Sequence, residues 1–568
     1  MNTRFIPPIC ALAAALLLSG CHSAAPTPPA SASPQDEAAA ANALFLNQKT
    51  FDPWVLTSTD PNIPIPFYKS DGEYSYLYAS NGTVSQTFKA GDYVSGQLAA
   101  RPAAPASQKP QGADGRHTQR LDMGQGTFTT TPDVFLGEIY RKNIRPATDW
   151  PHLWQTSDIV ISGDPEAQQV THANLFYLLS STYPGSDHSI PPMGLSSNIY
   201  GGHIFWDAEV WMMPALIVQH PDYARSIIDY RFKTLGQAKN NARAHGFPGA
   251  EYPWESADTG AEMAPAEFAQ ERHITADVGW AAWQYYLWTG DQAYLVKEGW
   301  PVLSATAAYW AARVSKTADG KYHVNKVLSP DETAGVVDDD AYTNAVVRAN
   351  LRAASSAANL LRQPVDSRWK TIADGLFFSY DTARKIPAEN ATPMTDRFAA
   401  KQADTLLLVH PLGVAYDAAT QGRMLDFYAA HTIKNGPAMT ASMEAIVAAG
   451  LGRGPQSLDL FRDSYRPFER GPWDAFAEKR TSNRVYFCTG MGGCLQSVLY
   501  GFAGLRVVEA GGRASGTKIA GDGVASLYAD PHLPPGWGGL TVRGVRFRGK
   551  AFDVAVTPGN KVTVTPHP

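Results

Sequence analysis

The chain has 568 residues, with 48 basic against 53 acidic side chains and a formal net charge of -5 at pH 7. That length exceeds one ordinary hydrophobic core and predicts two or three domains. The near-balanced charge, without any Lys/Arg run, excludes the basic field that nucleic-acid binding requires. Aromatic residues make up 11% of the chain, including 14 Trp and 25 Tyr, which suits a large core and flat platforms for the apolar faces of sugars.

In chain order, the first segment reads as an address. Arg4 precedes an apolar run from Ile9 to Leu18 that is too short to span a bilayer. This predicts a signal peptide over residues 1–20. Its end, "LLLSGC", resembles the bacterial lipobox, which makes Cys21 the lipidated residue. His22 after it resembles Gram-negative lipoproteins anchored to the outer membrane and facing the periplasm or the cell surface. The membrane is then a partner through the lipid alone. Residues 21–43, rich in Ala, Pro and Ser, predict a tether that buries too little apolar area to fold. Over 44–163, short alternating runs such as "YSYLYASNGTVSQTF" and "QGTFTTTPDVFLGEIY" predict a β domain, read as a sandwich.

Near Pro165 the period changes. "DYARSIIDYRFKTLGQAKNNARAHG", "HITADVGWAAWQYYLWTGD", "GWPVLSATAAYWAARV", "AYTNAVVRANLRAASSAANLL" and "NGPAMTASMEAIVAAGLG" recur at 3.6 residues and stop at Gly. Such helices, separated by polar or Gly/Pro-rich loops, predict a helical toroid over 164–510 with its loops gathered at one end. Period two returns in "GLTVRGVRFRGKAFDVAVTPGNKVTVTP", a small β-sheet over 511–568. Only Cys488 and Cys494 lie in the folded part, as a disulfide or as two buried thiols.

The stretch "VLSPDETAGVVDDDAYTN" holds five carboxylates and no basic residue. Asp338, Asp339 and Asp340 directly precede a helix pattern and read as capping acids. Asp331 and Glu332 remain, displayed behind Pro330, whose ring ends the preceding element. Four other loops set polar groups among aromatics, the composition of a sugar pocket. They carry Trp206 with Asp207 in "GGHIFWDAEVWMMPAL", Trp254 with Glu255 in "GAEYPWESA", Lys401 with Gln402 in "RFAAKQADTLLL", and Glu478 in "RGPWDAFAEKR". No metal or other cofactor is expected. The acidic run lacks the alternating ligands of a calcium loop and no helix pairs histidines, so His203, His273, His410 and His431 read as structural or hydrogen-bonding.

These stretches, together with "GPAMT" and "TGMGGCLQSVLYGFAGLRV", stand in an order that resembles glycoside hydrolase family 65 from about Asp164 to Val507. "LPPGWGGLTVRGVRF" is similar to the C-terminal sheet of that family, and the N-terminal β domain is short for it. The resemblance implies a multidomain chain: a β-sandwich, an (α/α)6 barrel and a C-terminal β-sheet. It makes Glu332 the general acid, gives Trp206, Asp207, Lys401 and Gln402 to the terminal glucose, and gives Trp254 and Glu255 to the leaving-group subsite. Phosphorylases of the family carry a "GIH" segment and a serine before "LGG", whereas the aligned stretch here is "RVYFCTGMGG". "GPWDAFAEK" instead resembles the segment of glucosylgalactosyl-hydroxylysine glucosidases and kojibiose hydrolases, which makes Glu478 the base of an inverting hydrolase.

The expected substrate is therefore a small-molecule or glycan α-glucoside, α-1,2-linked as in kojibiose or glucosyl-galactose, with β-glucose released. Glu332 has to be protonated, and the neighbouring Asp331 is expected to favour that form. The alternatives are a family 65 disaccharide phosphorylase, an α,α-trehalase, and a carbohydrate-binding lipoprotein with a decayed site. The last fits poorly with a complete set of acid, base and sugar-holding residues.

Overall fold

The computed structural model describes residues 150–568 except 195–198, 258, 396–397, 471–473 and 483–485, together with five short upstream strands. Of those strands, Phe67–Ser70, Tyr74–Tyr78 and Val84–Lys89 form an antiparallel meander, and Gln119–Asp122 pairs with Thr127–Thr130. The signal segment, Cys21, the tether and the rest of the expected sandwich lie outside the described residues.

The helical part is a double ring, the (α/α)6 barrel. Among the described residues six inner segments follow one another: Ala208–Met212 continuing into Met213–Ile217, then His273–Thr289, Ala341–Leu361, Thr405–Leu408, Ala441–Gly450 and Cys488–Gln496. Each packs on the next, and the last returns to the first, closing the ring. The outer helices Pro165–Ser180, Pro221–Lys233, Trp300–Arg313, Ser367–Gly375, Ala418–His431 and Gly454–Tyr465 alternate with them in sequence and pack around the inner ring. The inner helices are apolar on all sides because they are enclosed on all sides, as in His273–Thr289, where nearly every side chain is buried. "TGMGG" has a packing reason as well. A Cβ on Gly492 would meet the Trp211 carbonyl and one on Gly493 the Ser442 hydroxyl, so these glycines let the last inner helix close against both neighbours.

Helix starts follow the sequence signals. Asp340 accepts from the Thr343 N–H at 2.7 Å and so caps Ala341–Leu361, as Asp164 and Asp417 cap Pro165–Ser180 and Ala418–His431. Asp338 and Asp339 act differently: they accept from the backbone N–H groups of Lys326 and Val324, tying the preceding loop to the helix start.

The C-terminal region holds two sheets. Leu505–Glu509, Ala525–Ala529 and Thr517–Gly521 form one, with Ala525–Ala529 in the middle. The other runs Lys561–Pro566, Lys550–Thr557, Gly539–Phe547 and Ile159–Ser162, so a strand from before the barrel completes a sheet built after it. One continuous core joins sheets and barrel, with the Trp537 ring edge-on to Phe502 at 5.1 Å and to Phe461 at 6.1 Å. Of the two options for the cysteines, the structure has free thiols: Cys488 and Cys494 are both buried and unbridged, and burial pushes the Cys488 thiol up to about 12. No helix among the described residues is long and apolar enough to cross a membrane.

Candidate active site

The segments that lead from each outer helix into the next inner one meet at one end of the barrel and enclose a cavity of about 300 Å³. All six contribute. Tyr200, Phe205, Trp206 and Asp207 come from the first, Trp254, Glu255 and Phe268 from the second, Glu332 from the third, Lys401 and Gln402 from the fourth, Met439 from the fifth, and Glu478 and Phe487 from the sixth. The eight pocket residues singled out in the sequence therefore line one space, although up to 272 positions separate them in the chain (478 minus 206).

Glu332 sits on a single 3-10 turn, Glu332–Ala334, capped by Asp331. The Lys401 ammonium lies 2.6 Å from the Glu332 carboxylate. Asp331, the neighbour expected to favour protonated Glu332, also has a holding part: its Oδ1 accepts from the Thr333 hydroxyl at 2.6 Å and from the Lys401 N–H at 2.7 Å. It fastens the Glu332 turn to the Lys401–Gln402 segment. Behind it are Asp340, Glu389 and Asp404, all buried. Burial, and then the charges of neighbouring carboxyls, hold Glu389 and Asp404 well above the usual carboxylate range.

Asp207 is the residue before the inner turn Ala208–Met212, and the Thr489 hydroxyl donates to its Oδ1 at 2.6 Å. Burial raises its carboxyl to about 7, against the lowering effect of Thr489. Trp206 is wedged among Trp211, Trp254, His273 and Tyr342, with ring centroids 4.7 to 6.3 Å away. His273 stands edge-on to both pocket tryptophans and bonds to Asp277 at 2.8 Å. Burial works against its charge, but Asp277 and Glu271 outweigh it and hold the imidazole up to about 9. The Trp206–Asp207 segment also rests on a buried ion pair. Arg231 Nε and Nη2 donate to the two Glu209 oxygens at 2.6 and 2.9 Å, and Nη2 donates to the Phe205 carbonyl at 3.1 Å. Glu209→Ala is expected to cost about 3–5 kcal/mol because it strands a buried guanidinium. Chemical denaturation would show this, and an unchanged midpoint would mean that water reaches the pair.

Trp254 and Glu255 ride on a loop gathered by Glu262, whose carboxylate accepts from both of their N–H groups at 2.8 and 3.1 Å. His203 Nδ1 lies 2.6 Å from Glu255 Oε1. Glu478 follows the short strand Ala475–Phe476, paired with Glu469–Arg470. The Arg470 guanidinium sits inside this loop, donating to the carbonyls of Pro467, Glu469, Lys479, Arg480 and Ser482 at 2.7 to 3.2 Å. The other three histidines flagged in the sequence play structural parts: His273 as above, His410 on Gln496 at 2.8 Å and His431 on the Phe427 carbonyl at 2.7 Å. Among the described residues, no group of three or more His, Cys, Asp or Glu side chains is arranged to hold a metal ion.

Sequence reasoning missed Tyr200, Phe205, Phe268, Met439 and Phe487 as lining residues, and Thr489 and Arg470 as supports. Phe205 lies within "GGHIFWDAEVWMMPAL" and Tyr200 directly precedes it, so proximity to that motif is a usable signal. Met439 lies inside the quoted "GPAMT", whereas Phe268 carries no signal, since an aromatic in a loop is indistinguishable from a core residue.

A closed ring of helix pairs with a sugar-sized pocket of carboxylates and tryptophans at its loop end defines a class of carbohydrate-active proteins. The chain belongs to glycoside hydrolase family 65: the model of the Glycosyl hydrolase family 65 central catalytic domain matches residues 172–394 and that of the C-terminal domain residues 525–566. It is 40% identical over 415 residues to a kojibiose hydrolase of Mucilaginibacter mallensis, covering 71% of this chain and 58% of that protein. It is 33% identical over 459 residues to a protein-glucosylgalactosylhydroxylysine glucosidase of Dictyostelium discoideum, covering 78% of this chain and 60% of that one. The chain thus spans about six tenths of the length of these curated relatives. A solved structure described as a kojibiose phosphorylase from human microbiome shares the fold, with a TM-score of 0.62 at 18% identity over 76% of this chain and 66% of the other.

Proposed function

We propose that this chain is an inverting α-glucoside hydrolase that releases β-glucose from an α-1,2-linked glucoside of the kojibiose or glucosyl-galactose type. What carries the reading is the convergence of two carboxylates on separate loops, Glu332 and Glu478, in one pocket lined by Trp206, Asp207 and Trp254. The similarity to a kojibiose hydrolase and to glucosylgalactosylhydroxylysine glucosidases supports the substrate class. Among the described lining residues Lys401 is the sole basic side chain, and it is paired with Glu332. That favours water over phosphate as the nucleophile.

In this mechanism Asp207, Trp206, Lys401 and Gln402 hold the terminal glucose, and Trp254 with Glu255 hold the leaving sugar. The entering sugar draws Lys401 away from Glu332, which takes up a proton from solvent and delivers it to the glycosidic oxygen. Glu478 takes a proton from water, which attacks the anomeric carbon as the bond to the leaving group breaks. Inverting sites of this kind set the two carboxyls roughly 6.5–9.5 Å apart to admit that water. The upstream β strands belong to an N-terminal sandwich in this reading, and Cys21 carries a lipid that anchors the enzyme at the outer membrane, facing the periplasm. Mass analysis of the N-terminal peptide from a membrane fraction tests the anchor, which an unmodified Cys21 would rule out.

Proton NMR of a kojibiose digest, recorded before mutarotation with and without phosphate, tests the reaction. β-Glucose forming equally in both is the expected result. β-Glucose 1-phosphate forming only with phosphate would make the chain a phosphorylase.

Asp207 makes a separate prediction about pH. The folded protein keeps a proton on this carboxyl up to about 7, while its ordinary value is 3.8. Its burial therefore costs stability progressively as pH rises from about 4 to 7. Sugar hydroxyls donate best to the ionised form, so glucose affinity should weaken as pH falls below 7, by up to roughly tenfold per unit. Asp207→Asn should bind about 10- to 100-fold more weakly, the worth of hydrogen bonds to a charged group, and without that pH dependence. Calorimetric titration reads both; unchanged affinity would leave Asp207 a purely structural role.

A further inference from the structure

Ahead of Trp206 and Asp207, the short turn "IYGGH" does two things at once. Its Tyr200 hydroxyl donates to Glu478 Oε1 at 2.8 Å, and its His203 reaches Glu255 at 2.6 Å. The Tyr200 backbone has φ of 58°, a left-handed conformation that a bulky side chain adopts only at a cost. Gly202 follows at φ 73°. Something has to hold Tyr200 there. Its ring packs edge-on against Phe205 at 5.5 Å, and Phe205 in turn packs on Trp254 at 5.8 Å. Its hydroxyl ends on the carboxylate proposed to activate water. Tyr200 remains 40% exposed, and partial burial, then the charge of Glu478, raise its hydroxyl above the ordinary tyrosine range and keep it a donor.

We propose that Tyr200 is the positioning residue of the base: its hydroxyl occupies one oxygen of Glu478 and leaves the other directed at the attacking water. Two clamps then fix Glu478, the Arg470 guanidinium through the loop backbone and Tyr200 through the carboxylate itself. Tyr200 touches neither the glycosidic oxygen nor the leaving group in this role. The proposal rests on Glu478 acting as base.

The test compares the full chain with Tyr200→Phe on two substrates, kojibiose and α-glucosyl fluoride, whose leaving group needs no proton. The variant keeps the ring and its contact with Phe205, and its thermal midpoint checks that it folds. The expected result is a fall in kcat of about 10- to 100-fold on both substrates, the scale of a hydrogen bond to a charged group, with KM within about twofold. In a Glu478→Gln background, adding Tyr200→Phe should cost little more. Wild-type turnover in Tyr200→Phe, or a loss confined to kojibiose, would overturn the role of Tyr200 while leaving Glu478 as base. Near-wild-type turnover in Glu478→Gln itself would overturn the underlying reading instead.

Discussion

Glu332→Gln should lose kojibiose hydrolysis by a factor of about 10² to 10⁴, the range that a positioned proton donor contributes, while still hydrolysing α-glucosyl fluoride within about tenfold of the parent. The contrast is the informative part. Fluoride departs without a proton, so a residue that acts only as acid is dispensable for it. Gln keeps the shape of the turn Glu332–Ala334 and leaves Asp331 bonded to Thr333 and Lys401, so the loop survives the change. It removes the charge that faces the Lys401 ammonium, which frees Lys401 to meet the sugar, and KM should not rise. Equal losses on both substrates would assign Glu332 to sugar binding, and undiminished kojibiose turnover would remove it from the mechanism.

Glu478→Gln should lower kcat by a similar 10² to 10⁴ on both substrates, because water must be activated whichever group leaves. Azide needs no base. Added to this variant, it should restore turnover and yield β-glucosyl azide, detectable by NMR. Rescue of that kind ties the loss to the nucleophile's proton rather than to a collapsed loop, and the Arg470 contacts to five surrounding carbonyls hold the loop independently of the Glu478 side chain. A variant that azide leaves inactive, with an unchanged fold, would show that Glu478 is not the base.

Much of the fold was legible in the chain because enclosed helices announce themselves. "HITADVGWAAWQYYLWT" is apolar on every face, and "CTGMGGCLQ" is small where neighbouring backbones approach. The Asp340 cap followed from its place before a helix pattern. Other features had no local signal. Asp331 reads as a neighbour that favours protonated Glu332, and nothing local to it announces that its carboxylate also accepts from the N–H of Lys401, 70 residues on. The strand Ile159–Ser162 pairs with Gly539–Phe547, a partner that no local pattern names. Tyr200 in a left-handed turn looks, in sequence, like any tyrosine beside two glycines.

Short stretches of the chain hold the helix pairs and their apolar faces, the Asp340 cap, and the identity of Trp206, Asp207, Trp254, Glu255, Glu332, Lys401, Gln402 and Glu478 as polar or aromatic groups in loops. These are properties of short stretches, governed by backbone preference and periodicity within a few turns. Long-range packing alone makes the six segments entering the inner helices meet around one cavity, sets Lys401 against Glu332, and turns Tyr200 toward Glu478. The reason is ring closure: each inner segment packs on the next and Cys488–Gln496 packs back on Ala208–Ile217, which brings the ends of the loops to a common mouth.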